Sequence, residues 1–254
     1  MMTLAVLCAP AFGQTTANDW YNKGLALYYQ GKYDEAIQAY DRAIEIDQQH
    51  AYAWYNKGLA LDDQGKYDEA IQAYSRALEI DPQDADAWNN KGIDLGLQSK
   101  YDEAIQAFDK AIEINPQLVL AWNNKGTALD AKGKYDEAIQ AFDKAIKIDP
   151  QLAEAWYNKG NALKDQGKYD EAIQAYDKAI EIDPQYANAW DNKGVVLMDQ
   201  GKYDEAIQAF DKAIEIDPQL ALAWYNKGVT LKLLDRTAEV NDAFDKGRGT
   251  GVNG

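Results

Sequence analysis

The sequence predicts an all-α solenoid, and three observations predict it. A block of 34 residues recurs in phase from Ala17 to Gly254, seven times over. Each block holds two apolar stripes at helical spacing, and strand-like alternation occurs nowhere. A fixed period of this length marks a solenoid, whose units bury their apolar faces only by stacking on their neighbours. The repeats run 17–50, 51–84, 85–118, 119–152, 153–186, 187–220 and 221–254.

The block Ala153–Tyr186 serves as the type unit. Trp156, Gly160 and Leu163 lie on one face of a first helix. Gln166-Gly167 closes it, because Gly takes the left-handed conformation of a helix C-terminus without strain. A second helix opens at Tyr169-Asp170-Glu171, with acids at its positive N-terminal end. Its stripe is Tyr169, Ala172, Ile173, Tyr176, Ala179 and Ile180. Asp183-Pro184 ends it, since a residue before Pro is pushed out of the α region. Gly160, Ala172 and Ala179 are expected at close helix approaches, with Trp156 and Tyr176 supplying the large buried areas.

Residues 1–16 fall outside the repeat. Thr3–Phe12 is apolar, and Ala11-Phe12-Gly13 has the small-x-small form of a leader cleavage site, although no Lys or Arg precedes the apolar run. Export from a prokaryotic cytoplasm is the expectation, with the leader absent from the mature protein. Nothing approaches the roughly 18 consecutive apolar residues of a membrane span.

Composition excludes several functions. The formal charge of −16 is spread along the repeats and repels phosphate backbones, so nucleic acid is not an expected partner. One cysteine (Cys8), one histidine (His50) and two serines (Ser75 and Ser99) leave little material for nucleophilic catalysis or a zinc site. Asp62-Asp63 lacks the spacing of a calcium loop and reads as a solvated helix face. Neither catalysis nor a cofactor is expected.

Trp at repeat position 4, Gly at 8, Ala at 20, an aromatic at 24, Ala at 27 and Pro at 32 resemble the tetratricopeptide repeat. The resemblance covers residues 17–254. Trp20, Trp54, Trp88, Trp122, Trp156, Trp190 and Trp224 hold position 4 in all seven blocks. It implies a right-handed superhelix of helix-turn-helix units, with first helices lining a concave groove. Departures are Lys at position 7 where the family has Leu, Gln48 for Pro, and Ser99 for the turn Gly. In the seventh block Asp235 replaces the turn Gly, and Val240 and Gly247 replace the two Ala. Arg236–Lys246 reads as a polar closing helix before a frayed tail.

Positions 2, 5, 6, 9, 12 and 13 face the groove by this resemblance. Asp-Glu at 18–19 and Gln at 22 recur six times, whereas position 2 reads Asn18, Tyr52, Asp86, Leu120, Glu154, Asn188 and Leu222. Drift after duplication would loosen both surfaces alike, so the asymmetry points to a diversified groove. Its N-terminal end is crowded with Tyr21, Tyr28, Tyr29, Tyr52 and Tyr55, beside Leu25 and Leu59. Such tyrosines suit binding hot spots, and equally suit packing between first helices. Position 6 is Asn throughout, as Asn22, Asn56, Asn90, Asn124, Asn158 and Asn192. This ladder can hydrogen-bond an extended peptide or tie helices together. The pattern by which family members capture acidic chaperone tails is matched only at Asn161 and Asn192, which argues against that role. The expected function is a non-catalytic scaffold for peptide or protein partners. Self-association into an assembly and service as an enzyme's accessory subunit are the alternatives.

Overall fold

The structure, a computed structural model, describes residues 15–250. Among them every regular element is an α-helix, and the chain forms two compact units meeting at Ile114 and Asn115. The first holds α1 (Ala17–Tyr28), α2 (Tyr33–Ile46), α3 (Ala51–Asp62), α4 (Tyr67–Ile80), α5 (Ala85–Leu97) and α6 (Tyr101–Ile114). The second holds α7 (Val119–Ala131), α8 (Tyr135–Ile148), α9 (Ala153–Asp165), α10 (Tyr169–Ile182), α11 (Ala187–Asp199), α12 (Tyr203–Ile216), α13 (Ala221–Leu233) and α14 (Thr237–Thr250). Within each unit every odd-numbered helix packs against its successor, and each such pair packs against the next. The apolar run and cleavage site of the expected leader lie outside the described residues.

Local chemistry sets the boundaries. Thr16 and Asp19 form a capping box at the start of α1: Thr16 Oγ1 accepts from Asp19 N at 3.1 Å, and Asp19 Oδ2 accepts from Thr16 N at 2.8 Å. First helices close on a left-handed residue, such as Gly133 at φ 73°. The second helices of the first six repeats end in an Asp, or in Asn115 after α6, whose Oδ1 accepts from the N–H two residues on, as Asp81 does from Gln83 at 3.0 Å. Asp47 makes the same turn with Gln49, so α2 ends in register although Gln48 replaces Pro. The closing helix α14 runs on to Thr250, past the expected end at Lys246.

Ser99 and Asp235 adopt the left-handed conformation that Gly supplies elsewhere, at φ 60° and 56°. A side chain there costs roughly 1–2 kcal/mol, and Gly returns part of that as unfolded-state entropy. Ser99→Gly is therefore expected to raise stability by about 0.5–1 kcal/mol. An unchanged or lowered urea midpoint would show that Ser99 carries no strain.

The core is built on position 24. Tyr40 and Tyr74 in the first unit, and Phe142, Tyr176 and Phe210 in the second, are fully buried. Each ring sets an edge against the position-8 glycine of its own repeat; a Cβ on Gly126 would stand 2.5 Å from Phe142. The position-4 tryptophans are half-buried, less enclosed than Tyr176. The indole N–H groups of Trp54, Trp88, Trp122, Trp156 and Trp224 donate to the carbonyl six residues earlier, Trp156 to Pro150 at 3.2 Å.

Lysine at position 7 also finds its reason here. Lys57 Nζ lies 2.6 Å from Asp41 of the preceding repeat and 5.4 Å from the centre of the Trp54 ring. Lys159 repeats this with Asp143 and Trp156, and Lys227 with Asp211 and Trp224. The ammonium lies over the indole face and bridges two repeats, a role Leu cannot perform. Lys91 has Ser75 at the corresponding position, and burial lowers its pKa.

Candidate peptide-binding face

In the first unit, α1 and α3 gather the tyrosines singled out by sequence, but unequally. Tyr21 is half-buried; its ring stands 4.9 Å from His50 and 6.1 Å from Tyr40, and its hydroxyl accepts from Asn56 Nδ2 at 3.4 Å. Tyr55 packs on Tyr74 at 5.9 Å and accepts from Asn90 Nδ2 at 3.0 Å. Burial pushes its phenol pKa up to about 12. Both therefore serve as inter-repeat packing groups. Tyr28 is also half-buried, set edge-on to Tyr29 at 5.7 Å and against Tyr33 at 5.6 Å; burial, then neighbouring Asp63, raises its pKa. Leu25 and Leu59 are half-buried, and Leu59 packs against the cluster around Tyr74.

Tyr29 and Tyr52 differ from these. They are 82% and 64% exposed, and both lie near enough to Tyr21 to help raise its pKa, after burial itself. Asn22 is exposed beside them. An open aromatic patch thus stands beside the half-buried, hydrogen-bonded Tyr21.

The asparagine ladder runs between repeats. Asn56, Asn90, Asn158 and Asn192 each donate Nδ2 to the position-5 side chain 35 residues earlier. The acceptors are Tyr21, Tyr55, Asn123 Oδ1 at 3.2 Å and Tyr157 at 3.0 Å. Asn226 does the same to Asp191 at 3.1 Å. Asn192 also donates to Asn161 Oδ1 at 2.8 Å, which in turn accepts from the Tyr176 hydroxyl at 2.9 Å. Asn124 likewise has an interaction partner. A donor at position 6 facing a variable acceptor at position 5 fixes the register of neighbouring first helices.

A group of buried acids was not visible in the sequence. Asp94 on α5 is 1% exposed, and its carboxyl finds no partner besides the neighbouring Asp62 carboxyl. Asp62 stands beside it on α3, so it is not the solvated face expected of Asp62-Asp63. Burial, then the Asp62 charge, pushes the Asp94 pKa up to about 8, and Asp62 is raised as well. The buried Tyr74 hydroxyl, unpartnered within the protein, feels both charges. In the second unit Asp130 is raised to about 6, by burial and then by Asp165. Among the described residues no group of three or more His, Cys, Asp or Glu could hold a metal ion. No described helix is long and apolar enough to cross a membrane.

Comparison with known families matches the tetratricopeptide repeat model to residues 21–85 and 157–221, and related models of the same repeat to 85–118, 107–140, 126–167 and 209–240. No match was found among curated proteins. Among solved structures, YrrB, a TPR protein with an unusual peptide-binding site, is 28% identical with TM-score 0.61; the match covers 75% of this chain and 98% of YrrB. MamA is also 28% identical with TM-score 0.61, covering 65% of this chain and 96% of MamA. A tetratricopeptide repeat protein from Parabacteroides merdae covers 95% of both chains with TM-score 0.77; at 19% identity it speaks to the fold alone.

Proposed function

The chain belongs to the tetratricopeptide-repeat family, and we propose that it is a non-catalytic scaffold whose first-helix face binds an extended segment of a partner protein. The observation that carries this reading is the exposed pair Tyr29 and Tyr52 beside the half-buried Tyr21, whose hydroxyl accepts from Asn56. Tyrosine offers large, rigid contact area with a polar tip, and the packed base beneath lowers the entropy cost of using it. The freely varying position-2 residues supply specificity around this anchor, while the register-fixing asparagines hold the surface in shape. The peptide-binding site of YrrB, a relative of the same fold, adds support.

Peptides selected from a random display library on the full chain test the proposal. Tyr29→Ala and Tyr52→Ala are each expected to weaken a selected peptide by about 1–3 kcal/mol, the usual hot-spot range. Both side chains are exposed, so the fold is expected to survive. Selected peptides that bind both variants normally and protect the second-helix face around Asp68 and Gln72 would move the site there.

A further inference from the structure

We propose that the chain binds a second copy of itself head to tail, with α1 of one molecule docking on the open face of α13 and α14 of another. This goes beyond the peptide-binding reading and uses other residues. Contacts between successive repeats inside each unit supply the template. Position 3 is a fully buried Ala packed on the position-27 and position-28 side chains of the preceding repeat, as Ala53 packs on Ala43 and Ile44, and Ala223 on Ala213 and Ile214. Position 10 covers the preceding position-24 ring, as Ala60 covers Tyr40. Position 7 Lys pairs with position 25 Asp, and position 6 Asn donates to position 5.

Among the described residues, the two ends of the array expose both halves of this interface. On α1, Asp19, Asn22, Lys23 and Ala26 are exposed. On the last repeat, Tyr225 is 57% exposed, Phe244 is only half-buried where its counterparts are sealed, and Asp245 and Arg248 face solvent as an exposed ion pair, 3.6 Å apart, that docking would exchange for the new partners. Tyr225, Phe244, Gly247 and Arg248 line an apolar cleft of about 460 Å³. In register, Ala26 meets Phe244, Asn22 reaches the Tyr225 hydroxyl, and Lys23 reaches Asp245.

The departures at the two ends complement one another. Position 3 is Asp19 at the head, where the six other repeats have Ala. Position 28 is Arg248 at the tail, where they have Ile or Leu, and position 27 is Gly247 where they have Ala. The larger, acidic head residue therefore faces a smaller and a basic tail residue, and an ion pair replaces an apolar contact. One outer contact is missing, because Ala238 stands where Asp accepts from the next repeat's Gln, as Asp34 does from Gln64. Each copy also carries a charge of −16, which opposes association. The contact is accordingly weaker than the internal ones and reversible. Because it is heterologous, it propagates to chains or closes into a ring.

Sedimentation velocity of the full chain at about 0.15 M salt, an ionic strength at which the Debye length is roughly 8 Å, tests this. The weight-average sedimentation coefficient is expected to climb with concentration. Arg248→Glu and Asp19→Lys should each weaken association at least tenfold (order of magnitude, as for a close interfacial charge pair). The double variant Asp19→Lys/Arg248→Glu should recover it, and so should an equimolar mixture of the two single variants. Recovery also controls for the capping box that Asp19→Lys removes. A single species at every concentration overturns the proposal, as does a double variant no better than either single one. Association lost with Arg248→Glu but kept with Asp19→Lys would mean a tail-to-tail dimer and would likewise overturn it.

Discussion

Gly126→Ala is expected to destabilise the protein, and to become stabilising once Phe142 is also changed to Ala. Phe142 is 1% exposed on α8, and its ring edge lies 2.5 Å from where a Cβ on Gly126 of α7 would stand. A buried ring enclosed on all sides cannot swing away, so the helices must part, at a cost of about 1–3 kcal/mol for overpacking. Phe142→Ala alone leaves a cavity and costs about 3–5 kcal/mol. In that background the added methyl meets no ring, and Ala improves on Gly in a helix by about 0.5–1 kcal/mol. The sign of Gly126→Ala therefore reverses between the two backgrounds, which only direct contact produces. Urea unfolding of the four proteins measures it. Additive effects would mean that position 8 and position 24 do not touch, and with that the pairing of first and second helices would fall.

That pairing could be read from the sequence because it repeats. A small residue and a large aromatic held at fixed positions through the array must meet in the same way each time, and periodicity separates such positions from those free to vary. Helix ends were legible for the same reason: Gln166-Gly167 and Asp183-Pro184 act through local backbone chemistry, and α9 and α10 end where they predict. Features that depend on two repeats at once were harder to read. Lys at position 7 looked like an unexplained departure until Asp41 appeared beside Lys57 from the preceding repeat. The tyrosines of α1 and α3 are alike in composition, yet Tyr21 and Tyr55 are spent on packing while Tyr29 and Tyr52 are open. Which side a Tyr faces depends on the angle between neighbouring first helices, and no single block encodes that. Asp94 lies at position 10, where the other repeats hold Ala, Val or Thr. A substitution at one position of one repeat breaks the period and reads as drift, although in the fold it buries a charge.

The Asp94 substitution should make stability fall as pH rises through neutrality. Asp94 has an ordinary carboxylate pKa near 3.9 in the unfolded chain, against about 8 in the folded protein. Between those values the folded state keeps a proton that the unfolded state has released, so each step up in pH favours unfolding. Asp62 is raised in the same direction, and its charge and the Tyr28, Tyr55 and Tyr74 phenols around the pair offer no cation to offset it. At one unit of pKa per 1.4 kcal/mol, the loss between pH 5.5 and 8.5 is on the order of 2–3 kcal/mol. Repulsion within a chain of formal charge −16 acts in the same sense, so the wild-type profile alone cannot assign the effect. Asp94→Asn separates the two, because it removes the buried ionisation, gives Asp62 an N–H donor and changes the overall charge by a single unit. Its stability is expected to exceed that of the wild type at pH 8.5 and to approach it at pH 5.5, where the acid pair already holds its proton. Urea midpoints at the two pH values decide the matter. Equal losses in the wild type and Asp94→Asn would show that the pair carries no buried charge at neutral pH, and that general repulsion alone sets the slope.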